Sequence, residues 1–211
     1  MKLFTAGPSP FGRKVRIALH VLSLMTDVEV MATDTSQPDS ENRKQNPLGK
    51  IPTLLADGKA IYDSRVILEY LDNKAGGGKL FSTREPERTD ILVQGALADG
   101  IMDASILIVY ENRMRPEGMQ VASVLDYQRG KIERSLHALE AQSLVYENGA
   151  MPNAAEIGLA CVIDYLDLRA ILDWRVHAPS MQGFMTAFAD LVPGYHETLP
   201  EGIPDAPWRQ K

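Results

Sequence analysis

The pattern of apolar and polar positions changes character near residue 80. Before that point short apolar runs alternate with single helix-spaced stretches, and beyond it helical spacing runs almost throughout. Residues 2–6 form a strand-like run, and Pro8-Ser9-Pro10 is a turn that can open a helix, because proline suits the first helical turn. Phe11, Val15, Ala18, Leu19 and Leu22 then recur at three and four spacings. They predict a helix over 10–24, with Arg13, Lys14 and Arg16 off its apolar stripe. Residues 28–31 read as a second strand and 33–45 as a polar loop. Asn46-Pro47-Leu48-Gly49-Lys50-Ile51-Pro52 leads into Thr53-Leu54-Leu55, and the Asp57-Gly58 turn between short apolar runs predicts an antiparallel hairpin. Ser64 is placed to cap a helix through Leu71, which the Gly76-Gly77-Gly78 run ends. This order of elements predicts an α/β unit over residues 1–80, with a mixed sheet and helices on its faces.

Residues 85–211 read as an all-α domain. Helical stretches near 87–113, 117–146, 154–171 and 180–191 are punctuated by Pro116, Pro152 and Pro179. Asn153 followed by Glu156 is an N-cap with a glutamate three residues on, so each can satisfy the other's orphan amide. The run 157–165 is apolar nearly all round except for Asp164, as in a buried helix, and Asp164 reads as a hydrogen-bonded structural carboxylate. The tail 193–211, with four prolines and two glycines, is expected to lie irregularly over the surface.

Composition removes several function classes. With 22 basic against 28 acidic residues the net charge is −6, which disfavours nucleic-acid binding through bulk charge. A single cysteine, Cys161, excludes an internal disulfide, a Cys-x-x-Cys centre and a multi-cysteine zinc site, and reads as a small packed hydrophobe. His20, His137, His177 and His196 have no paired spacing, so no metal site is expected. No window is expected to reach the roughly 18 apolar residues of a membrane span, and the start is too short for a signal peptide. A cytoplasmic protein is the expectation.

Three segments carry candidate chemistry: Ser9-Pro10-Phe11-Gly12-Arg13-Lys14-Val15-Arg16, Asn46 to Pro52, and Asp63-Ser64. In this order, ahead of a helical domain, they resemble the bacterial glutathione transferases of the cytosolic superfamily, over essentially the whole chain. The resemblance implies a thioredoxin-like N-terminal domain with a mixed four-stranded sheet that binds glutathione. It also implies a helical domain shaping the pocket of a small hydrophobic electrophile, and a homodimer. Serine at position 9 matches theta-like members, whereas omega-like members and glutaredoxins carry cysteine there. Gly12 replaces the second redox cysteine, so conjugation is compatible and exchange through a protein thiol is not.

The residues keep a second, purely structural meaning. Ser9 can be an N-cap, or it can donate to a glutathione thiolate that the helix terminus also favours. A free thiol of pKa about 8.5 is only about 3% ionised at pH 7, and lowering it by about two units gives roughly three-quarters thiolate. Thr5 is the other nearby hydroxyl. Lys50 is either a solvated charge or, by the resemblance, the cation facing the glycyl carboxylate. The resemblance further implies a cis Ile51-Pro52 bond that leaves the Ile51 backbone to pair with an extended peptide. Ser64 and the adjacent free amides can hold the γ-glutamyl carboxylate, with Asp63 accepting from its ammonium and Phe11 in contact with the peptide. On the helical side, Asp103 shares a helix face with Asp99 and by the resemblance reaches glutathione, while Met102, Ile106, Tyr110 and Arg113 are candidates for the electrophile pocket. Isomerisation, dehalogenation or peroxide reduction by the same thiolate, and a non-catalytic partner protein resembling the stringent starvation proteins, are the competing functions.

Overall fold

The computed structural model describes residues 1–147 and 149–210. Its first domain opens with β1 (Lys2–Thr5), α1 (Pro10–Val21) and β2 (Glu29–Ala32). It continues through α2 (Glu41–Gln45), the hairpin β3 (Thr53–Ala56) and β4 (Lys59–Ile61), and α3 (Ser64–Lys74). The sheet order is β2-β1-β3-β4, with β1 and β2 parallel and the other two pairs antiparallel. Leu3 stands opposite Leu54, both without exposed surface, so the buried centre of the sheet is aliphatic, while Leu3's other neighbour, Val30 on β2, is 40% exposed. The mixed sheet and the Asp57-Gly58 hairpin are those the apolar pattern predicts, and Asp57 and Gly58 both take positive φ to turn the chain.

Two local expectations change. The polar stretch 33–45 ends in a helix, α2, because Asn42 and Asn46, both fully buried or nearly so, turn their amides inward rather than to water. The α3 cap is Asp63, not Ser64: the Asp63 carboxylate accepts from the Arg65 amide at 3.1 Å, and Ser64 becomes the first helical residue.

The second domain contains α4 (Glu87–Met114), α5 (Ala122–Gln142), α6 (Ala154–Arg169), α7 (Trp174–His177) and α8 (Met181–Leu191). At the centre lies α6, buried from Ala154 to Leu166 except at Glu156. The capping box forms: Asn153 Oδ1 accepts from the amides of Ala155 and Glu156, and Glu156 Oε2 accepts from the Asn153 amide at 2.8 Å. Cys161 is 1% exposed on this helix, and burial pushes its thiol up to about 11.

Helix α1 packs against α6 of the helical domain, which covers basic residues standing off its apolar stripe. Arg13 and Lys14 are 2% and 3% exposed. Arg13 pairs with Asp164 at 2.6 Å, and Lys14 pairs with Asp99 at 2.5 Å. Asp164 is thus the structural carboxylate expected, and it also takes Arg209 at 2.5 Å. That second pair draws in the tail. The segment is irregular and largely on the surface, as expected, but it is pinned to the core by fully buried Tyr195, by Trp208 at 5% exposure and by Arg209, which also meets Asp167. Lys211, the last residue of the expected tail, lies outside the described residues. Helix α4 corrects another expectation, since an 18-residue window within it has mean hydropathy 1.6, enough by length and composition to cross a membrane. Here it packs in the helical domain and buries Asp99 in an ion pair, so its apolarity is that of a core helix with one uncovered side.

Candidate active site

A cavity of about 100 Å³ opens where α1, the corner before β3, the start of α3 and the middle of α4 meet. Of the residues singled out in the sequence, Phe11, Lys50, Ile51, Pro52, Asp63, Ser64 and Asp103 all line it. The corner is built from below. Asn42 and Asn46 donate to the Lys50 carbonyl at 3.1 and 3.0 Å, and Asn46 also donates to Thr53 Oγ1 at 3.1 Å. Three polar groups therefore converge on one carbonyl immediately before Ile51-Pro52, which is cis. Among the described residues, neither the Ile51 N–H nor its C=O has a backbone partner outside the strands, so an extended edge faces the cavity. The sequence signal for Asn42 and Asn46 was present, as two asparagines one helical turn apart, but it reads equally as a polar loop.

The far wall is an ionic cluster that the sequence reading reached only in part. Arg65 clamps the Asp63 carboxylate at 2.7 Å, and this hydrogen bond holds Asp63 below the usual carboxylate range. Arg65 Nε also lies 3.8 Å from Asp99, whose other oxygen holds the buried Lys14. Burial, and then the neighbouring Asp99 charge, push Asp103 up. Ser64 is 2% exposed at the helix start, where the α3 macrodipole favours an anion.

Ser9 sits at the other helix start. Its Oγ accepts from the Gly12 amide at 3.1 Å, which makes it the α1 N-cap. It does not line the 100 Å³ cavity; it lines a separate narrow cleft with Gly7, Pro8, Cys161, Tyr165 and Leu168, while Phe11, two residues on, lines the cavity itself. Thr5 is buried beneath Gly12, and a Cβ at Gly12 would overlap its hydroxyl, so glycine is required there by close approach.

The expected electrophile wall divides. Met102 has no exposed surface and belongs to the core face of α4 with Ala98, Ile101 and Ile108, so it is not a wall residue. Ile106 is half-buried, and Tyr110 and Arg113 are exposed further along the helix. Tyr110 and Arg113 both lie within electrostatic reach of Tyr165, a residue the sequence reading passed over as part of an apolar run. His137 and His177, 40 residues apart, meet with ring nitrogens at 3.2 Å, yet no group of three metal-ligating side chains occurs among the described residues.

A β2-β1-β3-β4 sheet with a cis-proline corner before its third strand, joined to an all-helical domain, defines the two-domain class of thioredoxin-like proteins. The chain belongs to the glutathione S-transferase family. Residues 3–79 match the family model of the glutathione S-transferase N-terminal domain. The uncharacterised GST-like protein YibF of Escherichia coli (strain K12) is 34% identical over 187 residues, covering 86% of this chain and 90% of its own. A glutathione S-transferase from Methylobacillus flagellatus KT, solved with glutathione bound, superposes with TM-score 0.85 at 34% identity, over 94% of this chain and 98% of its own. A family member from Pseudomonas fluorescens Pf-5 with bound S-(propanoic acid)-glutathione gives TM-score 0.81 at 37% identity, over 95% and 99% of the two chains.

Proposed function

We propose that this protein is a glutathione transferase that conjugates the glutathione thiolate to a small electrophile. The observation that carries the reading is the convergence on one cavity of a free peptide edge at Ile51, the cation Lys50 and the α3 start at Asp63-Ser64, next to the α1 start at Ser9. Glutathione is an extended peptide with a carboxylate at each end and a thiol between. Ile51 pairs with its backbone, Lys50 faces the glycyl carboxylate, and Ser64 with the α3 amides holds the γ-glutamyl carboxylate. Asp63, kept ionised by Arg65, accepts from the ammonium, and Asp103 stands beside it. Ser9 donates to the thiolate at a helix terminus that stabilises the same charge. The relatives solved with glutathione and with its S-(propanoic acid) conjugate support a tripeptide in this cavity and a further group on its sulfur.

A homodimer is part of the reading. Val66 on α3 and Leu92 and Val93 on α4 expose 52%, 43% and 63% of their surface, an apolar face suited to a second copy. The test is calorimetric titration with glutathione followed by a conjugation assay on a small aromatic electrophile. Binding with turnover is expected, and no binding at millimolar glutathione would sink the reading in favour of a partner protein.

A further inference from the structure

Two imidazoles come together outside the glutathione cavity, where α5 packs against α7. His137 on α5 meets His177, the last residue of α7, with His137 Nε2 and His177 Nδ1 3.2 Å apart. The rings are inclined by 50°, with their centroids 5.1 Å apart. His137 is exposed and His177 half-buried, so the pair is open to solvent. No residue lining the glutathione cavity comes from α5 or α7.

A nitrogen pair at this distance is either one N–H···N hydrogen bond or two ligands of one ion. A straight hydrogen bond along both ring axes would hold the centroids about 5.5 Å apart. Two imidazoles bound at about 2.05 Å to one ion, with nitrogens 3.2 Å apart, subtend about 103° at the metal, between the octahedral and tetrahedral values. That arrangement puts the centroids about 5.0 Å apart, close to the observed 5.1 Å. The surroundings also hold the pair in place. Glu140, three residues after His137 on α5, accepts from the amide of Ser180, three residues past His177, at 2.9 Å. This bond ties the two segments together beside the rings and leaves an incoming ion little ordering to impose. Among the described residues no third histidine, cysteine or carboxylate joins the pair as a ligand, so the other coordination positions fall to water.

We propose that His137 and His177 bind one divalent transition-metal ion of the class that imidazole prefers, Zn²⁺, Ni²⁺ or Cu²⁺, as a clip between α5 and α7. Imidazole nitrogen suits these ions, whereas Mg²⁺ and Ca²⁺ take oxygen ligands. The two ligands stand 40 residues apart, and all of α6 lies in the loop they close. An ion that binds the folded chain and not the unfolded one therefore secures the central helix of the domain.

Untagged full-length protein is titrated calorimetrically with Zn²⁺, and with Mg²⁺ as the control, without glutathione, whose thiol would compete for the ion. One Zn²⁺ per chain is expected, with no Mg²⁺ bound. With free Zn²⁺ about a hundredfold above its dissociation constant, Tm should rise by about 5–10 °C. His137→Gln and His177→Gln should each weaken Zn²⁺ binding by about tenfold or more and cut the Tm rise at that concentration to about half or less. His196→Gln should change neither. The wild-type titration needs no variant to fold. No heat and no Tm rise at millimolar Zn²⁺ overturns the proposal, and the rings then share a hydrogen bond only. Zn²⁺ binding that survives either substitution, or equal binding of Mg²⁺, also overturns it, because the ion then sits elsewhere on the surface.

Discussion

Ser9→Ala separates two roles that share one hydroxyl. The Ser9 Oγ accepts from the Gly12 amide at 3.1 Å, which uses one lone pair and leaves its proton free to be donated outward. Losing the cap costs about 1 kcal/mol of stability. Losing the donated proton costs a thiolate about 1.5–3 kcal/mol, so the bound thiol rises by roughly 1–2 units. Taking a bound thiol near 6.5 in wild type and near 8 in the variant, the thiolate fraction at pH 7 falls from about 76% to about 9%, roughly eightfold. The pH profile of single-turnover conjugation, read beside the ultraviolet absorbance of the thiolate, measures this. The expected result is an activity limb displaced to higher pH with nearly full recovery in alkali. Ser9→Gly loses only a few tenths of a kcal/mol of capping but the same proton, so it should copy the displacement without the stability loss. Ser9→Thr should do neither. If Ser9→Ala unfolds more easily while its pH limb stays where wild type has it, Ser9 is a cap alone and the thiolate is held by something else.

Four further outcomes are expected. Lys14→Met or Asp99→Leu alone should each cost about 3–5 kcal/mol in urea unfolding, because each strands a charge that is almost wholly buried, whereas the double change should recover most of the loss; additive losses would refute this. Asn46→Ala removes donors to Lys50 O and Thr53 Oγ1, so it should weaken glutathione binding as well as cost about 1–3 kcal/mol, and unchanged affinity would mean the corner holds its shape without it. Asp63 is depressed in the folded protein, so what it adds to stability is present above the unfolded value near pH 4 and disappears as pH falls through the lower folded value. The stability gap between wild type and Asp63→Asn should accordingly be flat from pH 5 upward and close in acid, and a gap that widened in acid would contradict the Arg65 clamp. Val93→Glu should turn a dimer into a monomer in sedimentation, and a monomeric wild type would remove the apolar-face argument.

The fold was legible where spacing alone decides it. Phe11 to Leu22 on α1, the Asp-Gly hairpin and the Asn153–Glu156 box each signal a local structure, and each forms. What sequence left hidden depends on which faces two domains cover. Arg13 and Lys14 stand off the apolar stripe of α1 and look solvated until Asp164 and Asp99, more than 80 residues away, close over them. Met102 fails as a wall residue for a related reason, since the single residue step from Met102 to the cavity-lining Asp103, about 100° around α4, separates core from cavity and periodicity does not say which is which. Tyr165 escaped notice because its helix reads as uniformly buried. At the cavity the short motifs were legible because residues near in sequence act together, whereas the asparagines beneath the corner and Arg65 beside Asp63 show their part only through distances.

The burial of Cys161 has a practical meaning for the proposed conjugation chemistry. Its one thiol borders the same narrow cleft as Ser9, yet it is only 1% exposed and burial keeps it protonated, so it is a poor target for alkylating reagents. The same seclusion makes the residue a built-in clock for the opening of α6. An alkylating reagent can reach it only when that central helix comes away, so the rate of labelling counts excursions of the helical core from its native packing.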